Sequence, residues 1–70
     1  MPDHPDLQTA LKHYRQAAGL TQADLAAKVS VSRKTINTIE NGVFVPTTVL
    51  ALRLARVLDC RVEDLFSLRD

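Results

Sequence analysis

Apolar residues in this chain recur at intervals of three and four, in runs of two or three helical turns, and the first three runs are closed by a glycine, a hydroxyl residue or an asparagine. Helices this short are unstable alone in water, because the first turn fixes several residues for a single hydrogen bond. They must share one core. Seventy residues provide for one such core and not for two, since small domains already bury only about 60% of their unfolded surface. Apolar residues make up 46% of the chain and aromatics only 4%, with two Gly and three Pro, so the core is one of Leu, Ile, Val and Ala.

Met1 to Pro5 holds two prolines and no periodicity, which predicts a frayed tail over residues 1–5 and one domain over residues 6–70. Asp6 is the expected cap of a first helix carrying Leu7, Leu11, Tyr14 and Ala18 on one face and stopped by Gly19. Thr21 caps a second helix that buries Leu25, Ala26 and Val29 and breaks at Ser30 and Val31. Ser32 caps a third, with Ile36 and Ile39 inward and Asn41-Gly42 at its close. Val43 to Pro46 form a loop. Thr47 or Thr48 then caps a fourth helix with Leu50, Ala51, Leu54, Ala55 and Leu58 on one face. A last helix is expected near Val62 to Leu68. With no strands foreseen, the fold class is all-α, five helices around a single core.

Several function classes are excluded at this level. No apolar run approaches the roughly 20 residues that cross a bilayer, and Asp3 and Asp6 do not suit a basic signal-peptide start, so the expected location is the cytoplasm. Cys60 is the one cysteine, which rules out an internal disulfide or a cysteine-based zinc site, and a small buried residue is its expected role. No motif sets a nucleophile beside a base, and His4 and His13 read as solvated. No phosphate loop or metal-ligand cluster appears, so neither enzymatic activity nor a cofactor nor a metal is expected.

The net charge of +1 says little, but its distribution says more: Lys28, Arg33 and Lys34 fall together without an acid, while Asp59 to Asp70 hold four acids against two arginines. At about 100° per residue, Lys34, Asn37, Thr38 and Asn41 lie opposite Ile36 and Ile39, with Arg33 at the edge. Any solvated helix face is polar. These side chains, however, are those that read base edges: Lys and Arg donate to guanine, Asn pairs with adenine, and Thr offers a hydroxyl and a methyl.

The segment TQADLAAKVSVSRKTINTIENG, residues 21–42, resembles the helix-turn-helix of the Cro and Xre phage-repressor family. Gln22, Ala26, Ile36 and Ile39 match that pattern, and the likeness continues through Pro46, LALRLARVL and Leu65-Phe66 over nearly the whole chain. The resemblance implies a phage-repressor-like domain in which helix 2 crosses the DNA backbone and helix 3 enters the major groove. It implies a small transcriptional regulator, with repression the expected mode, in which Arg33, Lys34, Asn37 and Thr38 read bases. Ser32 and Thr35 would meet base or backbone, and Gln22 and Asn41 would meet phosphates. Arg15 and Glu40 are implied to form a structural ion pair.

The chain departs from the family at three places. Ser30 stands where Gly is common, the loop Val43-Phe44-Val45 lacks basic residues, with Phe44 expected to pack as a plug, and Arg61 takes a cap position usual for Ser or Thr. The partners implied are double-stranded DNA and a second copy of the chain. Val49 and Leu52 fall outside the inner stripe of helix 4, and Leu65, Phe66 and Leu68 crowd the C-terminus. Leu52, Leu65, Phe66 and Leu68 are the interface candidates, although packing between helices 4 and 5 fits them as well. The rival reading is an interaction module or antitoxin-like protein that docks a protein partner; Lys and Arg on helix 3 favour DNA.

Overall fold

Three helices of this protein begin on a hydroxyl side chain that accepts from the backbone amide three residues on: Thr21 from Asp24 at 3.0 Å, Ser32 from Thr35 at 3.1 Å and Thr47 from Leu50 at 3.1 Å. The computed structural model in which these contacts are seen describes residues 7–69. In chain order its elements are β1 (Leu7–Thr9), α1 (Leu11–Ala17), α2 (Gln22–Val29), α3 (Arg33–Glu40), α4 (Thr48–Val57), α5 (Val62–Leu65) and β2 (Phe66–Leu68). The tail expected over residues 1–5 and the expected cap Asp6 lie outside the described residues.

The helix ends share one device. The amide of Leu20 donates to Arg15 O, that of Val31 to Ala26 O, that of Val43 to Thr38 O and that of Cys60 to Ala55 O, each closing its helix over six residues. Such a closure puts one residue in the left-handed region. Gly19 and Gly42 take it without strain at φ of 74° and 75°, whereas Ser30 at 61° and Asp59 at 54° take it as ordinary L-residues. The turn between α2 and α3 therefore forms with Ser30 in a conformation that usually falls to glycine.

Two corrections concern the chain ends. The first helix starts at Leu11 and not near Leu7, and the last one stops at Leu65; Leu7–Thr9 and Phe66–Leu68 instead pair antiparallel, with Leu7 opposite Leu68 and Thr9 opposite Phe66. No strand was expected. The pairing gives the backbone groups of both segments a partner that a frayed helix end lacks, and the amide of Ala10 continues it by donating to Leu65 O at 2.8 Å. Thr9 Oγ1 then accepts from the amide of Leu11 at 3.2 Å, supplying the acceptor that the cap residue Ala10 has no side chain to offer.

Inward faces of all five helices meet at Leu11, Leu25, Ala26, Val29, Ile36, Ile39, Leu50, Leu54, Ala55 and Leu65. Ala18, read from the sequence as part of the inner face of α1, is exposed just beyond the helix end. Phe44 is no plug: 44% of its surface is exposed. Leu65 is 1% exposed, so its side chain belongs to the core and leaves the set of interface candidates. The half-buried Phe66 packs against the same core, while Leu52 and Leu68 are 56% and 70% exposed.

Candidate nucleic-acid interface

Helix α3 owes its position to Ile36 and Ile39, both buried, and to Ala26, whose small side chain lets α2 approach it closely. With the apolar side fixed, the opposite side is fixed too. Arg33, Lys34 and Asn37 are exposed, Thr35 and Thr38 are half-buried at the flanks, and Asn41 is exposed just past the last turn. No acid lies on the outer face. The single carboxylate of α3, Glu40, is turned inward: its side chain is only 3% exposed.

Glu40 is the centre of a fully paired polar cluster. Arg15 Nε donates to its Oε2 at 2.6 Å and Arg15 Nη2 to its Oε1 at 3.2 Å, while Arg15 Nη1 donates to Leu20 O at 2.8 Å. One guanidinium thus joins the end of α1 to the end of α3 in a two-pronged ion pair. Gln22 completes the cluster: its Nε2 donates to Glu40 Oε1 at 3.1 Å and to Asn37 Oδ1 at 3.2 Å. Among the described residues no buried side-chain polar atom lacks a partner.

This arrangement gives the expected site residues different capacities. Asn37 has one lone pair of Oδ1 engaged by Gln22, which leaves the other lone pair and both amide hydrogens for an adenine edge, held in a set orientation. Among the described residues no side chain or backbone group accepts from the side chains of Arg33 or Lys34. Ser32 and Thr35 are occupied with each other: their hydroxyls lie 2.9 Å apart, and Ser32 Oγ caps the helix. Thr38 Oγ1 donates to Thr35 O at 2.9 Å, so Thr38 presents its methyl and an accepting oxygen. Asn41 stands at the far end of the face.

The N-terminus of α2 lies beside this face through Gln22. The hydroxyl of Thr21 takes the amide of Asp24, and Asp24 Oδ2 in turn accepts from the amide of Thr21 at 3.0 Å, a reciprocal capping box. The amides of Gln22 and Ala23 keep no intrahelical acceptor, as at any helix start. Hydrogen bonds from the backbone and then the hydroxyl of Thr21 hold the Asp24 carboxyl below its ordinary range, so it stays ionised. That charge steadies the helix start and opposes an anion approaching it.

Other chemistry has little to build on. Among the described residues no cluster of three His, Cys, Asp or Glu side chains could hold a metal, and no helix is long and apolar enough to cross a membrane. Cys60 is half-buried, and burial, then the nearby Asp64 and Asp59, pushes its thiol above the ordinary range.

Comparison with known proteins gives three concordant results. A helix-turn-helix family model matches residues 11–65. An HTH-type transcriptional regulator of Archaeoglobus fulgidus, itself uncharacterized, is 42% identical over 64 residues, which cover 91% of either chain. A counterpart in Methanocaldococcus jannaschii is also 42% identical over 64 residues, covering 91% of this chain and 97% of the relative. Among solved structures, the clp gene regulator ClgR from Corynebacterium glutamicum superposes with a TM-score of 0.74 at 27% identity, over 79% of this chain and 58% of the ClgR chain. The restriction-modification controller protein C.AhdI from Aeromonas hydrophila superposes with a TM-score of 0.72 at 31% identity, over 77% and 82% of the two chains.

Proposed function

This chain belongs to the helix-turn-helix family of DNA-binding transcriptional regulators, and from that premise we propose how it acts: α3 lies in the major groove, and Arg33, Lys34 and Asn37 read base edges from it. The observation that carries this reading is the acid-free outer face of α3, where these three side chains are exposed while the one carboxylate of the helix is turned inward onto Arg15 and Gln22. Thr38 adds a methyl for a thymine. Ser32 and Thr35, whose hydroxyls hold each other, meet the backbone or a base edge with what capacity remains.

Gln22 acts chiefly through Asn37, orienting it, and the backbone amides at the start of α2 meet a phosphate directly. Asn41 meets the backbone at the other end of α3. The chain carries out no catalysis, works in the cytoplasm and represses by occupying its operator. It binds as a homodimer on two half-sites about one DNA turn apart, because one such module makes few phosphate contacts. The exposed Leu52 and Leu68 and the half-buried Phe66 supply apolar surface for the second copy.

Selection of sites from a random duplex library at near-physiological salt tests this reading. The expected result is a pseudo-palindrome with half-sites about one turn apart. Recovery of no sequence, with only weak and salt-sensitive binding, contradicts it.

A further inference from the structure

The side chain of Glu40 is nearly closed to solvent, so it does not itself reach a ligand of the outer face of α3. Its hydrogen bonds lead there. Oε2 accepts from Arg15 Nε at 2.6 Å, and Oε1 accepts from Arg15 Nη2 at 3.2 Å and from Gln22 Nε2 at 3.1 Å. A carboxylate paired with a guanidinium has only acceptors to offer. The end of the Gln22 amide beside it is therefore the NH2 group, because a carbonyl there would meet repulsion. The same Nε2 lies 3.2 Å from the amide of Asn37, so the atom facing it must in turn be an acceptor, Oδ1. The polarity of the exposed Asn37 is thus set by a buried negative charge acting through Gln22. Both hydrogens of Gln22 Nε2 are spent in this relay, and its side-chain amide keeps no N–H for a phosphate.

Polarity matters because the two purines differ at their major-groove edges. Adenine shows a donor at N6 beside the acceptor N7, whereas guanine shows acceptors at both O6 and N7. An amide with Oδ1 held in one place fits the first pattern and sets oxygen against oxygen in the second. A freely turning amide escapes that contact by presenting Nδ2 to O6. The held amide can do so only by giving up its bond from Gln22 and setting two N–H groups face to face. We propose that Glu40 is a specificity-determining positioning residue: through Gln22 it holds the Asn37 amide in the one sense that accepts adenine and refuses guanine. The inference rests on the reading that α3 faces the major groove. It assigns the half-site an adenine at the base pair met by Asn37, and gives Glu40 a part in base choice besides joining α1 to α3.

The test uses the duplex selected by the native chain, with each base pair replaced in turn and affinities measured at one salt concentration. Asn37→Ala identifies the position that Asn37 reads, as the one where preference disappears. The native chain is expected to prefer adenine to guanine there. Gln22→Met keeps the length of the side chain and removes the relay. The preference is then expected to fall about threefold to tenfold, the worth of one hydrogen bond, with the other positions unchanged. Glu40→Gln, which can turn an NH2 group towards Gln22, is expected to give the same fall, and no further fall when combined with Gln22→Met. If a thermal melt shows that variant unfolded, Arg15→Met with Glu40→Gln leaves no buried charge unpaired and carries the same expectation. A uniform loss at all positions, an unchanged adenine preference in Gln22→Met, additive losses in the combined variant, or a native preference for guanine at the Asn37 position overturns the proposal. Failure of base reading by α3 looks different: Asn37→Ala then alters preference at no position, and the proposal falls with it.

Discussion

Ser30 holds a left-handed backbone conformation between α2 and α3, and Asp59 holds another after α4. An L-residue there costs on the order of 1 kcal/mol against glycine, a noticeable part of the roughly 5 to 15 kcal/mol that keeps a domain folded. Ser30→Gly is expected to raise stability by about 0.5–1 kcal/mol with no change in DNA selectivity, read by denaturant midpoint at constant slope. Asp24 works through charge. Its folded carboxyl titrates below the unfolded one, so its contribution is present above the unfolded value near 3.8 and is lost as pH falls through the folded one. Asp24→Asn should therefore narrow the difference in melting temperature between pH 6 and pH 3. The same substitution removes an anion beside the start of α2 and should tighten DNA binding at low salt, which a filter-binding titration reads directly.

Among the elements, the close approach of α2 to α3 depends on Ala26, which is buried in the same core cluster as Ile36 and Ile39, and protein cores are close-packed. Ala26→Leu is expected to destabilise by about 1–3 kcal/mol through overpacking, and to weaken operator binding further by tilting α3; a melting curve and an affinity measurement on the same sample separate the two losses. The helices α2, α3 and α4 were legible in the sequence because every one carries its own hydroxyl cap and a 3.6-residue apolar pattern. The ends of the domain were not. Leu7 and Leu11 stand four apart and so mimic a helical face, while the partner that makes Leu7 a strand residue lies at Leu68, where no local pattern points to it. For Leu65 the sequence fitted core packing and an interface equally: at the end of a four-residue helix, burial depends on what packs across it, here α4, and not on its neighbours in sequence. The outer face of α3 followed directly from the places of Ile36 and Ile39. That Gln22 would hold Asn37 and Glu40 together did not follow, because the contact depends on how α2 crosses α3.

At the scale of the whole molecule, one polar cluster links the scaffold to the exposed face of α3 that is proposed to read DNA. Arg15 ties α1 to Glu40, Glu40 receives Gln22, and Gln22 orients Asn37, so the end of α1, the start of α2 and the exposed side of α3 keep a fixed relation. On the proposed reading a net charge of only +1 is no obstacle, because Arg33 and Lys34 are exposed on α3 while the one carboxylate of that helix is paired with Arg15. The most direct test of this account is the ratio of affinities for a selected site and an arbitrary duplex, measured for the native chain and for the Lys34→Ala, Asn37→Ala double variant at one salt concentration. Each good base contact is worth about 1–3 kcal/mol of discrimination, so the account predicts that the ratio falls at least tenfold in the variant while binding to the arbitrary duplex falls far less. An unchanged ratio would place sequence reading elsewhere than on α3 and contradict the account.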